Sequence, residues 1–218
     1  MRCLKLIINS EIKKCNLCIR KCNVNRDVNL VVCQADNNLK VARAQLHFWE
    51  EPCVSGKNGS GTVFFSHCNL KCVFCQNHLI SQEFNGKTIS VERLAEIFLE
   101  LEKQGANNIN LVTPTHYVPQ IIEAIKLAKS NNLTIPILYN TNSIDSLDTI
   151  KSLDGLIDVY LPDFKYFDDK YALMYSKINN YHENALNVIK EMVRQVGTPS
   201  FNDEGIIQKG VIDRKSVV

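Results

Sequence analysis

The chain has 218 residues, enough for one good-sized domain with a small appendage. Hydrophobic residues make up 45% and charged residues 22%, the proportions of a soluble globular protein. A formal net charge of +2 gives no bulk electrostatic case for a nucleic-acid or membrane partner. The only N-terminal apolar patch, Leu4 to Ile8, is broken by Lys5 and is too short for a signal-peptide core. No apolar run is long enough to span a bilayer.

All nine cysteines lie between positions 3 and 75. Clustered, CxxC-like spacing without a leader favours metal ligation in a reducing cytoplasm over a disulfide framework. The first cluster is Cys15, Cys18 and Cys22, spaced CxxCxxxC, with Cys33 following. Four thiolates make a closed shell suited to tetrahedral zinc or to an iron–sulfur cluster. Lys13, Lys14, Arg20, Lys21 and Arg26 surround it and either offset thiolate charge or form a solvated face. Cys3 and Cys53 are expected to be unligated. A helix is predicted over Leu39–Glu51, packing Leu46, Phe48 and Trp49 and ended by Pro52. The glycine-containing run Ser55–Gly61 lacks the Lys-Ser/Thr of a phosphate-binding loop and reads as a tight turn.

Thr62-Val63-Phe64-Phe65 is β-branched and aromatic, so it predicts a short buried strand. It runs into a loop carrying Cys68, Cys72 and Cys75, spaced CxxxCxxC, with Phe74 before the last cysteine. Three thiolates on one short loop can ligate three irons of a cubane cluster and leave the fourth open to a substrate or cofactor. The competing readings are a zinc site completed by His78 and inert buried thiols.

From residue 88 onward helical and strand patterns alternate. Ser90 is an N-cap for a helix reaching to Gly105, with Val91, Leu94, Ala95, Ile97, Phe98 and Leu101 at helical spacing. A strand follows at Ile109–Val112, then a helix opening near Pro119. A third strand is predicted at Ile135–Tyr139, a short helix near Ser146–Leu153, and a fourth strand at Leu156–Leu161. Helices over Asp168–Ile178 and Tyr181–Val196 come next, and Val211-Ile212 opens a fifth strand. Alternation of this kind implies right-handed βαβ units and a parallel sheet, whose site lies at the C-terminal strand ends.

The signature loop, read with the longer run FWEEPCVSGKNGSGTVFFSHCNLKCVFCQN (Phe48–Asn77), resembles the radical S-adenosylmethionine (SAM) proteins. It is most similar to the branch related to pyruvate formate-lyase activating enzyme. The resemblance implies an α/β fold, a partial (β/α) parallel barrel with about four to five of six βα units present. It divides the chain into a Cys-rich N-terminal segment, 1–54, and a radical SAM core, 55–218. It implies a 4Fe-4S cluster on Cys68, Cys72 and Cys75 that binds SAM and cleaves it reductively to a 5′-deoxyadenosyl radical. A glycyl-radical enzyme is the implied protein substrate, and a flavodoxin or ferredoxin the implied electron donor. The four N-terminal cysteines would hold zinc or a second cluster.

The strand ends supply the remaining candidates. Thr113-Pro114-Thr115-His116-Tyr117 stands where many such proteins carry Gly-Gly-Glu, so Thr113 and Thr115 take over contacts to SAM, and His116 is a candidate proton donor or substrate contact, or else a structural loop histidine. Asn140, Thr141 and Asn142 resemble an Asp-Thr-Asn-Gly segment, with Asn140 replacing Asp and Ser143 replacing Gly. Asp163 and Lys165 resemble an Asp-Leu-Lys segment and either bind a charged part of SAM or form a plain surface ion pair. The charged ending Asp213–Val218 does not match the family, so the core is expected to lack its last one or two βα units. The alternative function is a non-catalytic metal protein, either a zinc module or an iron–sulfur electron carrier.

Overall fold

In the computed structural model the described residues are 14–29 and 31–213. Cys3, the Leu4–Ile8 patch, Lys13 and the last five residues of the charged ending lie outside them. Strand β1 is Lys40–His47, and a one-turn helix α1 covers Pro52–Ser55. Strand β2 is Ser60–Phe65, followed by α2 (His78–Ser81), β3 (Lys87–Thr88) and α3 (Val91–Lys103). Strand β4 is Ile109–Val112 and leads through a 3₁₀ turn at Thr115–Tyr117 into α4, Val118–Ser130. Then come β5 (Ile137–Thr141), α5 (Leu147–Lys151), β6 (Val159–Pro162), α6 (Asp169–Ser176) and α7 (Tyr181–Val196). A short hairpin, β7 (Ser200–Phe201) and β8 (Ile207–Val211), closes the described chain.

The sheet runs in the order β3-β1-β2-β4-β5-β6-β8-β7. Neighbours from β2 through β4, β5 and β6 to β8 pair in parallel. Antiparallel strands flank this parallel block, β1 and β3 on one side and β7 on the other. This is the expected α/β architecture, a partial barrel with a Cys-rich N-terminal region. The face of the parallel strands that α3 and α4 cover is apolar, whereas the opposite face sets the buried polar residues Ser60, Thr62, Asn108 and Asn110 beside Leu138, Val159 and Leu161. Val63, Ile109, Leu111, Ile137, Tyr139 and Tyr160 are buried with the inward faces of α3 and α4 in one cluster. Where β2 meets β4 there is no room for a side chain at Gly61: a Cβ there would lie 2.8 Å from the Asn108 carbonyl oxygen.

Two helix starts follow from their caps. The Ser90 hydroxyl accepts from Arg93 N at 3.1 Å, and the Ser146 hydroxyl accepts from Thr149 N at 3.2 Å. Helix α4 opens with Pro119 in its first turn, where no intrahelical donor is lost.

The stretch predicted as a helix over Leu39–Glu51 is instead β1. Its alanines and arginine carry helix propensity, but residues 41–47 pair with Ser60–Phe65, and that pairing satisfies the outer backbone of β2. A register irregularity between Val41 and Arg43 breaks the alternation that would have revealed a strand. Trp49 does not pack; it is 88% exposed. Pro52 opens α1 as its first residue and does not end the preceding element. Strands β5 and β6 each begin two or three residues later than predicted, and the fifth parallel strand begins earlier, at Ile207.

The N-terminal segment packs into this frame. Cys15, Leu17, Val31 and Cys33 join the same apolar cluster as the strands. Residues 17–19 run beside the loop after β5, with Ile19 N donating to Ile144 O at 3.0 Å and Ser146 N to Leu17 O at 3.0 Å. Among the described residues no helix is long and apolar enough to cross a membrane.

Candidate active site

Because β2, β4, β5 and β6 are parallel, their C-terminal ends open on one side of the sheet. The loops that follow them line a cavity of about 610 Å³. Cys68, Cys72 and Cys75 come from the loop after β2, and Thr113 follows β4. Asn140, Thr141 and Asn142 belong to the end of β5, and Asp163 and Lys165 follow β6.

Three of these loops turn through a non-glycine residue in the left-handed region: His67 at φ 73°, Thr113 at φ 57° and Ser143 at φ 65°. For a β-branched residue such as Thr113 this is an unfavourable conformation, of the kind that concentrates at functional sites. Thr113 is held in it by its own N–H, which donates to Asn140 O at 2.9 Å.

Each signature sulfur has a polar neighbour. Leu70 N donates to Cys68 Sγ at 3.4 Å and Asn142 Nδ2 to the same sulfur at 3.6 Å. Ser176 Oγ donates to Cys72 Sγ at 2.8 Å, and Cys75 Sγ lies 3.2 Å from Ser81 Oγ. Burial pushes the Cys68 thiol up to about 12, and the neighbouring Cys72 and Cys75 push in the same direction. Burial also raises Cys72, opposed by the Ser176 hydroxyl and by Lys165. Thiols raised in this way, as Cys68 and Cys72 are, become thiolates together beside a strongly cationic centre.

The Lys165 ammonium lies 2.6 Å from the Asp163 carboxylate, with both side chains largely buried. The pair sits in a loop beyond β6, past the end of the strand. The expected Thr-Pro-Thr-His-Tyr group divides. Thr113 lines the large cavity, whereas Thr115 and His116 line a second, smaller one. The 3₁₀ turn at Thr115–Tyr117 carries them inward. His116 Nε2 lies 2.7 Å from Ser66 O, so that nitrogen carries the hydrogen. Burial, followed by the Arg26 guanidinium, pushes its imidazole down to about 3, and the ring is neutral. Buried and away from the large cavity, it is not placed to hand a proton to a molecule bound there.

The second cavity gathers Cys15, Cys18, Cys22 and Cys33. Arg26 is no solvated charge: it is buried and donates to Ala35 O at 3.0 Å, His116 O at 2.6 Å and Asp36 O. Arg20 Nε donates to Asn69 O at 2.7 Å, tying this segment to the signature loop. Cys53 lies on α1 against a small apolar cluster, apart from both groups. Among the described residues, no three His, Cys, Asp or Glu side chains stand close enough together to hold a single ion.

Sequence reasoning overlooked Glu51, which lines the large cavity, and Asn69, which lines the small one. Their proximity to the two motifs was the only available signal. It also overlooked Asp145, a fully buried carboxylate that accepts from Tyr139 Oη at 2.7 Å and from Thr141 Oγ1.

A sequence model of the radical SAM superfamily matches residues 62–213. The chain belongs to the radical SAM superfamily. The matched region begins in β2 and takes in the loops after β2, β4, β5 and β6 that line the large cavity, with Glu51 outside it. An uncharacterized protein of Methanocaldococcus jannaschii, MJ0674, is 32% identical over 190 residues, which is 83% of this chain and 54% of that relative. The chain therefore spans about half the length of the curated relative it matches. Membership implies a 4Fe-4S cluster and SAM as substrate. The donor set fits such a cluster: three cysteines on one loop, hydrogen bonds aimed at the sulfurs, and adjoining space for a second molecule.

Proposed function

We propose that this chain is the cluster- and SAM-binding core of a radical SAM enzyme of the branch related to pyruvate formate-lyase activating enzyme, acting on a glycyl-radical partner protein. One observation carries the reading: the signature cysteines and the polar ends of β4, β5 and β6 share one cavity of about 610 Å³. That space suits a cluster with a nucleoside-sized ligand beside it.

Cys68, Cys72 and Cys75 would hold the cluster. When bound, it supplies the electron that cleaves the sulfonium and yields the 5′-deoxyadenosyl radical. The remaining work is binding and orientation. Lys165 presents an ammonium to the SAM carboxylate, and Asp163 holds that ammonium in place at 2.6 Å. Asn140 and Asn142 offer amides to the amino group and ribose hydroxyls. Thr113 exposes backbone through its left-handed turn. Asn142 also donates to Cys68 Sγ at 3.6 Å and to Asn69 Oδ1 at 2.8 Å, so the β5 loop and the signature loop move as one.

The case for a protein substrate rests on the signature loop and the residues just after it. Val73 is 69% exposed, Leu79 59% and Phe74 37%, beside the loop that lines the cavity. Exposed apolar groups beside a cavity suit a docking partner. A flavodoxin or ferredoxin is the expected electron donor.

The test is anaerobic reconstitution with iron and sulfide, then incubation with SAM and dithionite. Wild type should release 5′-deoxyadenosine, and Cys68→Ala, Cys72→Ala and Cys75→Ala should each abolish it. Equal product from all three variants would refute the assignment.

A further inference from the structure

The small cavity carries an observation that the signature site does not explain. Cys15, Cys18, Cys22 and Cys33 line it, and all four are free thiols. Backbone hydrogen bonds fold the CxxCxxxC run around it: Cys15 N donates to Val24 O at 3.1 Å, Asn23 N to Cys15 O at 3.0 Å and Lys21 N to Cys18 O at 3.0 Å. Gln34 N donates to Val31 O at 2.8 Å and turns Cys33 toward the same space.

Asn69 forms another wall, and it is 1% exposed. Its Oδ1 accepts from Asn142 Nδ2 at 2.8 Å, which fixes the way the amide faces. The other end of that amide, Nδ2, is buried and has no hydrogen-bond partner. Native proteins rarely leave a buried donor unsatisfied. Asn69 lines the small cavity, so an occupant of that cavity can supply the missing acceptor.

We infer that the four N-terminal cysteines ligate an iron–sulfur cluster of their own, and that Asn69 Nδ2 donates to one of its sulfurs. Zinc in a four-thiolate shell presents no acceptor besides its ligands. As placed, none of the four cysteine sulfurs accepts from Asn69. An iron–sulfur cluster brings sulfide ions, which do accept hydrogen bonds. The thiols surround the cavity without three of them converging on a single point. Corner ligands of a cluster are arranged in this way; the shell of one ion is not. The two cavities also adjoin along the chain, because Cys68 lines the large one and its neighbour Asn69 lines the small one. This inference does not depend on the function proposed for the large cavity.

The experiment uses the full chain with the signature set removed, Cys68→Ala, Cys72→Ala and Cys75→Ala together, reconstituted anaerobically with ferrous iron and sulfide. Iron and acid-labile sulfide should be retained in equal amounts, about two or four of each per chain. Adding Cys15→Ser and Cys18→Ser should remove both. Zinc without labile sulfide, or no metal at all, overturns the inference. If the triple variant does not fold, Cys15→Ser with Cys18→Ser in the otherwise native chain gives the same answer. Its iron should fall by that share while the signature cluster stays, and an unchanged iron content overturns the inference. Asn69→Leu in the triple background should leave the iron content unchanged. It should lower the reduction potential of the retained cluster in a redox titration followed by electron paramagnetic resonance. A potential equal to that of the parent removes Asn69 from the site.

Discussion

Replacing Ser143 with glycine should stabilise the fold without changing the large cavity's ligands. Ser143 sits at φ 65°, the left-handed region, at the turn that leads β5 away from the site. An L-residue there costs about 1–2 kcal/mol. Its side chain is fully buried and its hydroxyl has no hydrogen-bond partner. Burying a hydroxyl unpaired costs about 1–3 kcal/mol. Against this, glycine loses more chain entropy on folding, about 0.5–1 kcal/mol. The net expectation is a gain of about 1–4.5 kcal/mol, or about 2–18 °C in melting temperature for a chain of this size. The backbone contacts survive the change, because Ser143 N donates to Thr141 Oγ1 and Ser143 O accepts from Asn184 Nδ2. Calorimetry under reducing, anaerobic conditions measures the shift. Ser143→Ala separates the two contributions, since it removes the hydroxyl and keeps the strained backbone, so it should gain less than glycine. A melting temperature at or below wild type for Ser143→Gly would refute both the strain and the orphaned hydroxyl.

Lys165→Met should weaken SAM binding about ten- to a hundred-fold, the worth of one hydrogen bond to a charged group, with iron content unchanged; equilibrium dialysis giving an affinity within twofold of wild type contradicts the role. Ser176→Ala deletes the donor 2.8 Å from Cys72 Sγ and should lower the potential of the signature cluster in a redox titration, at constant iron. Tyr139→Phe takes one donor from the buried Asp145 carboxylate and should cost about 1.5–3 kcal/mol by urea denaturation. Burial raises Asp145 above its ordinary value of 3.8, so its contribution to stability is fully present below that value and is lost as pH rises through the raised one. Asp145→Asn removes this loss, so melting temperatures from pH 4 to pH 7 should move in the variant's favour as pH rises; parallel curves would show that Asp145 does not titrate differently in the folded chain.

The parts of the site that were legible in the sequence are those where chemistry demands local spacing. Three cysteines closely spaced on one loop can wrap a single cluster, so Cys68, Cys72 and Cys75 stood out. The parallel strands were legible because they are buried on both faces and read as apolar runs. Ser90 and Ser146 marked helix starts through their hydroxyls. Strand β1 was hidden for the opposite reason: it is short of large apolar residues, lies outside the parallel block, and carries a register irregularity at Val41 and Arg43. Its strand state comes from pairing with β2, a tertiary cause. The strand-end rule treated Thr113 through Tyr117 as one group, but a 3₁₀ turn sends Thr113 to one cavity and His116 to another. Asn69 had no motif of its own. Only the juxtaposition of the two cysteine groups in space gives it a meaning.

The central claim is that Cys68, Cys72 and Cys75 hold a cluster that SAM approaches directly in the large cavity. Electron paramagnetic resonance of the reduced, reconstituted chain, recorded with and without SAM, tests it most directly. The account predicts a signal that changes shape when SAM is added, and loss of that SAM-sensitive signal in the Cys68→Ala, Cys72→Ala, Cys75→Ala variant. A wild-type signal indifferent to SAM, or a SAM-sensitive signal that survives removal of all three cysteines, would contradict it.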